Sequence, residues 1–208
     1  NLMLETDRAE EVLEETDMAF LFAQKYHSAM KNVGPVRKEM GERTIFNILG
    51  PLTNPANASI QLLGVYNNDL VEKLAEVLKN LGVKRGMAVC GNDGLDEITL
   101  TGPTHCCEIR DGGLTSFDIT PEQFGFETCD LKELIGGTPQ ENAQITRDIL
   151  SGKETGAKRN VILMNAGIAI YLGKDGITME EGVAIAKEMI DSGKALEKLE
   201  EFIKETNA

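Results

Sequence analysis

A strand–helix–strand pattern between residues 59 and 90 constrains the fold of this chain most strongly. The segments 59–66, SIQLLGVY, and 84–90, KRGMAVC, are each typical of a buried strand. Between them, leucines at helical spacing predict an amphipathic helix that Asp69 caps and Gly82 stops. Two strands joined through a helix by such short connections pair in parallel, so the sequence predicts an α/β domain.

The rest of the chain is predicted to add a hairpin and further helices to this unit. Strand-like segments at 106–110 and 114–118 flank the turn Asp111-Gly112-Gly113. We expect a single α/β domain over residues 1–208, with a central, mostly parallel sheet flanked by helices and the helix at 179–192 buried at its centre. Apolar spacing predicts helices over 7–15, 17–30 with Asp17 as cap, 139–150, 160–172, 179–192 and 195–205.

The excess of acidic residues restricts the class of partner. The chain has 34 Asp and Glu against 21 Lys and Arg, a formal net charge of −13. Such a surface disfavours nucleic acid and anionic membranes, and no segment reaches the run of about 18 apolar residues that a membrane span requires. The four cysteines match no zinc or disulfide pattern. We therefore expect free thiols and a cytoplasmic enzyme of small molecules.

An acidic pair follows the second predicted strand. Asp96 and Glu97 lie in GNDGLDEI, residues 91–98, shortly after the strand that ends near Cys90. Ligands of open α/β sheets bind beyond the carboxyl ends of the strands. Magnesium takes one or two carboxylates from a protein and fills its other positions with water and phosphate oxygens. On these residues alone, a solvated polar turn remains the simpler interpretation.

A second candidate feature is the apolar, proline-containing segment RTIFNILGPLTNP at residues 43–55. Two prolines within five residues fix backbone angles and oppose the continuation of a helix. We expect a rigid, partly buried loop that can form a wall beside a ligand.

Four segments of the chain together form a recognisable pattern. They are FLFAQKYHSAMKNVGPVRKEMGERTIFNILGPLTNPA at 20–56, GNDGLDEIT at 91–99, IGGTPQENA at 135–143 and NAGIAIYLG at 165–173. This pattern resembles the anthranilate phosphoribosyltransferase family. The resemblance implies the fold of the nucleoside phosphorylase/phosphoribosyltransferase C-terminal domain. It also implies transfer of phosphoribose from 5-phosphoribosyl pyrophosphate (PRPP) to anthranilate in tryptophan biosynthesis, with release of pyrophosphate.

The resemblance also implies the roles of five residues. Asp96 and Glu97 match the family's acidic pair, which holds Mg²⁺ on the pyrophosphate. Arg37 matches the arginine that meets the anthranilate carboxylate, and a guanidinium fork suits that group. His27 and Pro51 match residues that line the anthranilate site. No side chain is assigned as a catalytic acid or base, because the aromatic amine is already a usable nucleophile and needs mainly positioning.

The chain departs from the family pattern in two respects. The family motif HPAM reads HSAM here, with Ser28 after His27. The phosphate-binding GTGGD turn, a loop bearing serine and threonine, and the KHGN segment have no counterpart, and all are upstream in the family order. We expect this chain to be the C-terminal α/β portion and to be inactive alone. The resemblance further implies a homodimeric parent and a glutamine amidotransferase as a candidate partner.

Two other functions remain open at this point. A pyrimidine nucleoside phosphorylase-like enzyme shares the fold type but has no need of Arg37 to read a carboxylate. Phosphorolysis of thymidine or uridine would identify it. A non-catalytic assembly domain is the other alternative, and titration against an amidotransferase would test it.

Overall fold

The computed structural model describes residues 1–26, 39–41 and 46–208, which form two compact units. One unit comprises residues 1–56 with 194–208, and the other comprises residues 57–193. The expectation of one domain over 1–208 stays a prediction. The described helices are α1 Thr6–Thr16, α2 Ala23–Tyr26, α3 Phe46–Leu52, α4 Val71–Asn80, α5 Leu131–Leu134, α6 Pro139–Leu150, α7 Ala157–Gly173, α8 Met179–Asp191 and α9 Lys194–Glu205.

The second unit contains a four-stranded sheet in which the strands lie in sequence order. The α/β class is confirmed, but the sheet is mixed, and the prediction of a mostly parallel sheet is wrong for the described strands. β1 and β2 are parallel because α4 crosses between them, whereas β2–β3 and β3–β4 are antiparallel because no helix separates those strands. The strands are β1 Ile60–Gly64, β2 Arg85–Gly91, β3 Thr104–Arg110 and β4 Gly113–Ile119.

The turn that leads into α4 begins at Asn67, two residues before the predicted cap. The side chain of Asn67 accepts a hydrogen bond from the Asp69 N–H at 2.9 Å, at the start of the 3₁₀ turn Asn68–Leu70. Asp69 is therefore inside the turn, and its predicted role as the cap is wrong. The predicted stop at Gly82 is confirmed, since this residue has a φ of +99° that favours glycine.

The core of this unit is built around α7. Leu163, Met164 and Ile168 are fully buried, and Met164 and Ile168 pack with Met87 and Val89 of β2. The prediction that the helix at 179–192 is the central one is wrong, because α8 buries only one face while α7 is apolar on nearly all sides.

The two helices α7 and α8 approach each other closely through glycines. A Cβ atom built on Gly182 of α8 would lie 2.2 Å from the carbonyl oxygen of Gly167 on α7. A Cβ on Gly167 would in turn lie 2.4 Å from the Val183 side chain. The contact therefore requires the absence of a side chain at both positions.

The cysteines are thiols without disulfide bonds, as the sequence predicts. Cys90, Cys106 and Cys107 are buried in β2 and β3, and Cys129 is partly buried. Burial is the main cause that raises the pKa of Cys106 to about 12. These groups are therefore poor metal ligands and poor nucleophiles.

The first unit packs α1 against α9. Arg8 donates a hydrogen bond to the Glu205 carbonyl oxygen at 2.7 Å. Asp17 ends α1 with a φ of 56°, so its predicted role as the cap of a second helix is wrong. The Thr16 hydroxyl bonds the carbonyl oxygens of Val12 and Met18, which directs the chain out of the helix.

The proline segment also differs from its prediction. Its middle part is helical as α3, and Pro51 lies inside that helix. Proline is tolerated there because the helix ends one residue later, so its missing N–H affects only the last turn. In the part of the chain that the structure describes, no helix is long and apolar enough to cross a lipid bilayer.

Candidate metal and substrate site

The acidic pair lies where the sequence predicts it. Asp96 and Glu97 are in the loop after β2, at the edge where the parallel strands β1 and β2 both end. Both residues are exposed. Within the described ranges, neither carboxylate takes a hydrogen bond or an ion pair. Both groups are thus available to a ligand.

Glu97 lies in a negative electrostatic environment. Desolvation by the surrounding protein, followed by the charges of Asp96 and Asp93, raises the pKa of Glu97 above its ordinary value. The residue as a whole remains open to solvent, so the desolvation concerns only part of its surface. A divalent cation at this position would relieve the repulsion among the three carboxylates.

Asp93 holds the loop on both sides of the acidic pair. Its Oδ2 accepts hydrogen bonds from the hydroxyls of Thr99 at 2.7 Å and Thr101 at 2.6 Å. Its Oδ1 accepts from the Leu95 N–H at 3.1 Å. Desolvation opposes ionisation of Asp93, but the hydrogen bonds from Thr101 and Thr99 outweigh it and lower the pKa. Asp93 is therefore a structural acceptor and not a third ligand.

Asn165 holds the end of the acidic segment. This residue of α7 accepts a hydrogen bond from the Ile98 N–H at 3.0 Å and donates to the Ile98 carbonyl oxygen at 2.8 Å. Its amide also donates to the Val161 carbonyl oxygen at 3.0 Å. Local sequence patterns did not predict this contact. The available signal was an asparagine within an apolar helix, where its propensity is poor.

Gly64 makes room for the same segment. A Cβ atom on this last residue of β1 would lie 1.6 Å from the Asp96 carbonyl oxygen. Glycine is therefore required for the loop to pass across the end of β1. In the sequence, the signal for this contact was a glycine inside the predicted strand 59–66, which often marks a close approach of another backbone.

The donor set fits a magnesium ion that is completed by other ligands. In residues 1–26, 39–41 and 46–208, no cluster of three or more His, Cys, Asp or Glu side chains is placed to hold a metal. Asp96 and Glu97 therefore provide two carboxylates at most. This number matches the usual protein contribution to Mg²⁺, whose remaining positions take water and substrate phosphate.

The other three predicted site residues are Pro51, His27 and Arg37. Pro51 is exposed in α3 and belongs to the first unit. His27 and Arg37 lie outside the described residues. Asp96 and Glu97 are thus the predicted site residues that the structure describes within the second unit.

Comparison with known families gives a match over most of the chain. Residues 1–196 match the family model described as glycosyl transferase family, a/b domain. The chain is 56% identical over 204 residues to the anthranilate phosphoribosyltransferase of Endomicrobium trichonymphae, covering 98% of this chain and 60% of that protein. The chain thus spans about three fifths of the length of the curated relatives it matches.

Solved structures give the same relationship. The anthranilate phosphoribosyltransferase of Thermus thermophilus superposes with a TM-score of 0.92 at 39% identity, covering 100% of this chain and 61% of that one. The Saccharomyces cerevisiae enzyme in complex with PRPP and Mg gives 0.91 at 31% identity, covering 99% and 59%. Its complex with 4-fluoroanthranilate gives 0.91 at 31% identity, covering 99% and 60%.

Proposed function

Because this chain belongs to the glycosyl transferase family, a/b domain, we propose that it forms part of an anthranilate phosphoribosyltransferase. The reaction moves the phosphoribosyl group of PRPP to the amine of anthranilate and releases pyrophosphate. The observation that carries the proposal is the exposed Asp96–Glu97 pair beyond β2, in a chain that is 56% identical to a relative of that name. The TM-scores of the solved relatives support it.

Asp96 and Glu97 are the residues that we propose to hold Mg²⁺. The bound ion would neutralise negative charge on the leaving pyrophosphate. The two carboxylates bind and orient that ion, and their exposure lets phosphate oxygens and water fill the positions that the protein leaves open. The yeast neighbour's complex with PRPP and Mg supports this assignment.

Arg37, His27 and Pro51 are proposed to contact anthranilate. The Arg37 guanidinium would bind the substrate carboxylate through two parallel hydrogen bonds. His27 and Pro51 would help to fix the ring, because the reaction depends on orienting a weakly basic amine. Support comes from the family resemblance of residues 20–56 and from the yeast neighbour's complex with 4-fluoroanthranilate.

The assembly and location are proposed from the same family resemblance. We infer that the parent enzyme is a cytoplasmic homodimer, with a glutamine amidotransferase as a candidate partner. Since the chain spans about 60% of its Endomicrobium relative, we expect that residues 1–208 alone do not turn over substrate.

An anthranilate fluorescence assay tests the proposed function. The chain is mixed with anthranilate, PRPP and Mg²⁺, with and without the N-terminal segment of the Endomicrobium relative as a separate polypeptide. We expect anthranilate fluorescence to fall only when the N-terminal segment is added. With the Asp96→Asn/Glu97→Gln variant, we expect no fall even when that segment is present. The matched control is Asp111→Asn/Glu127→Gln, two exposed carboxylates elsewhere in the same unit.

Two results would contradict the proposal. If the Asp96→Asn/Glu97→Gln variant were fully active with the N-terminal segment added, the proposed metal role would be refuted. Phosphorolysis of thymidine or uridine, with no anthranilate consumption, would favour the nucleoside phosphorylase alternative.

A further inference from the structure

We propose that Asn165 is a positioning residue for the acidic pair, acting through the backbone of Ile98. Its carboxamide forms hydrogen bonds with both the backbone N–H and the backbone carbonyl oxygen of Ile98, which directly follows Glu97. This inference rests on the proposed metal role of Asp96 and Glu97. It assigns to α7 the function of aligning the metal site, in addition to filling the core.

The hydrogen bonds fix the orientation of the Asn165 carboxamide. The oxygen accepts from the Ile98 N–H, and the nitrogen donates to the carbonyl oxygens of Ile98 and Val161. Both hydrogens of the Asn165 amide nitrogen therefore have acceptors. If the carboxamide were rotated by 180°, this nitrogen would face the Ile98 N–H, which is also a donor. Because Val161 is one turn earlier in α7, the amide is tied to its own helix as well as to the loop.

Ile98, the residue that Asn165 holds, is part of the core. Ile98 is fully buried and packs in the core cluster that includes Met164 and Ile168 of α7. Its backbone groups have no access to the bulk solvent that would otherwise satisfy them, so losing the amide would leave two unsatisfied groups. The peptide that carries Glu97 is thus held by a core residue on its C-terminal side.

The pair is also held on its N-terminal side and at the peptide between its two residues. Asp93 accepts a hydrogen bond from the Leu95 N–H before the pair, and from the Thr99 and Thr101 hydroxyls after it. The Asp96 carbonyl group, which joins Asp96 to Glu97, lies against Gly64. With the backbone held on both sides, the main freedom left to Asp96 and Glu97 is rotation of their side chains. Some residues hold metal ligands in place without touching the metal. Mutation of such residues commonly weakens metal affinity about ten- to a hundredfold.

Only an amide of this length fits the contact chemically. A leucine would remove all three hydrogen bonds, and an aspartate would lose the donor to Ile98 and Val161. Asparagine is a poor helix former, so its presence within α7 costs helix stability. The hydrogen bonds to Ile98 offset that cost, which explains why asparagine occupies position 165.

The test is a Mn²⁺ titration of the 208-residue chain, followed by electron paramagnetic resonance. We expect Asn165→Leu and Asn165→Gln to raise the Kd for Mn²⁺ by about tenfold or more. Asn160→Leu and Asn160→Gln, on the same helix and without a side-chain hydrogen bond in the described structure, should bind as the parent chain does. Asn165→Gln keeps the amide and serves as the milder variant if the leucine variant does not fold.

The outcomes separate the inference from the function on which it rests. If Asp96→Asn/Glu97→Gln weakens Mn²⁺ binding but both Asn165 variants bind like the parent, the positioning role is refuted and the metal role stands. If Asp96→Asn/Glu97→Gln leaves Mn²⁺ binding unchanged, the metal role fails and the inference fails with it. Urea unfolding of each variant gives the loss of stability, which by itself should not change Kd in the folded fraction.

Discussion

Replacing Gly182 by alanine should destabilise the second unit, although alanine is the better helix former. The added Cβ would lie 2.2 Å from the Gly167 carbonyl oxygen, where a close carbon–oxygen contact needs about 3.3 Å. The helices α7 and α8 must therefore separate by about 1 Å, and this shift reaches the core around Met164 and Ile168.

The magnitude follows from two opposing effects. Overpacking a close contact costs about 1–3 kcal/mol, and a clash with backbone belongs at the upper end because backbone cannot rotate away. The gain from replacing glycine in a helix is about 1 kcal/mol. We expect the free energy of unfolding to fall by about 2 kcal/mol, the difference of these two values.

The assay is urea unfolding followed by circular dichroism, with Gly173→Ala as the matched control. Gly173 is the last residue of α7, and a Cβ there meets no atom within 4 Å. The control should therefore be neutral or slightly stabilising. A Gly182→Ala variant at least as stable as the parent would refute the packing argument.

Three further predictions concern stability and the metal loop. Hydrogen bonds to Asp118 and Glu72 raise the pKa of His105 above 6.5, so its stabilising contribution is complete below that pH and is lost as pH rises through the raised pKa. His105→Gln should abolish that part of the pH dependence in urea unfolding. Thr178→Ala removes the hydrogen bond from the Glu181 N–H at the start of α8 and should lower the unfolding free energy by about 1 kcal/mol in the same assay. Gly64→Ala should displace the Asp96 peptide and weaken Mn²⁺ binding measured by paramagnetic resonance, and unchanged affinity would contradict the role of the close contact.

Local patterns in the sequence were sufficient for most elements of the second unit. The β1–α4–β2 crossover and the β3–β4 hairpin follow from apolar spacing and from turn residues, which act over short distances. The mixed character of the sheet was missed because strand direction depends on the connection at 92–103. That segment contains no helical element that could carry the chain back across the sheet.

The site was only partly predictable for a related reason. The acidic pair could be located because it follows a recognisable strand. The contact between Asn165 and Ile98 joins residues 67 positions apart, and no local pattern reports such a distance. The predicted cap at Asp69 was wrong because the Asn67 side chain accepts from the Asp69 N–H and opens the turn two residues earlier. The predicted cap at Asp17 was wrong because this residue ends α1, and the next helix begins only at Ala23.

The buried thiols give the sheet a built-in chemical reporter. Cys106 is fully buried in β3, and the same burial raises its pKa to about 12, which disfavours the thiolate that reacts with alkylating reagents. A reagent reaches it only when β2 and β3 open, so the rate of modification measures the opening of this part of the molecule. Because Cys129 is only partly buried, it provides a faster internal reference in the same chain.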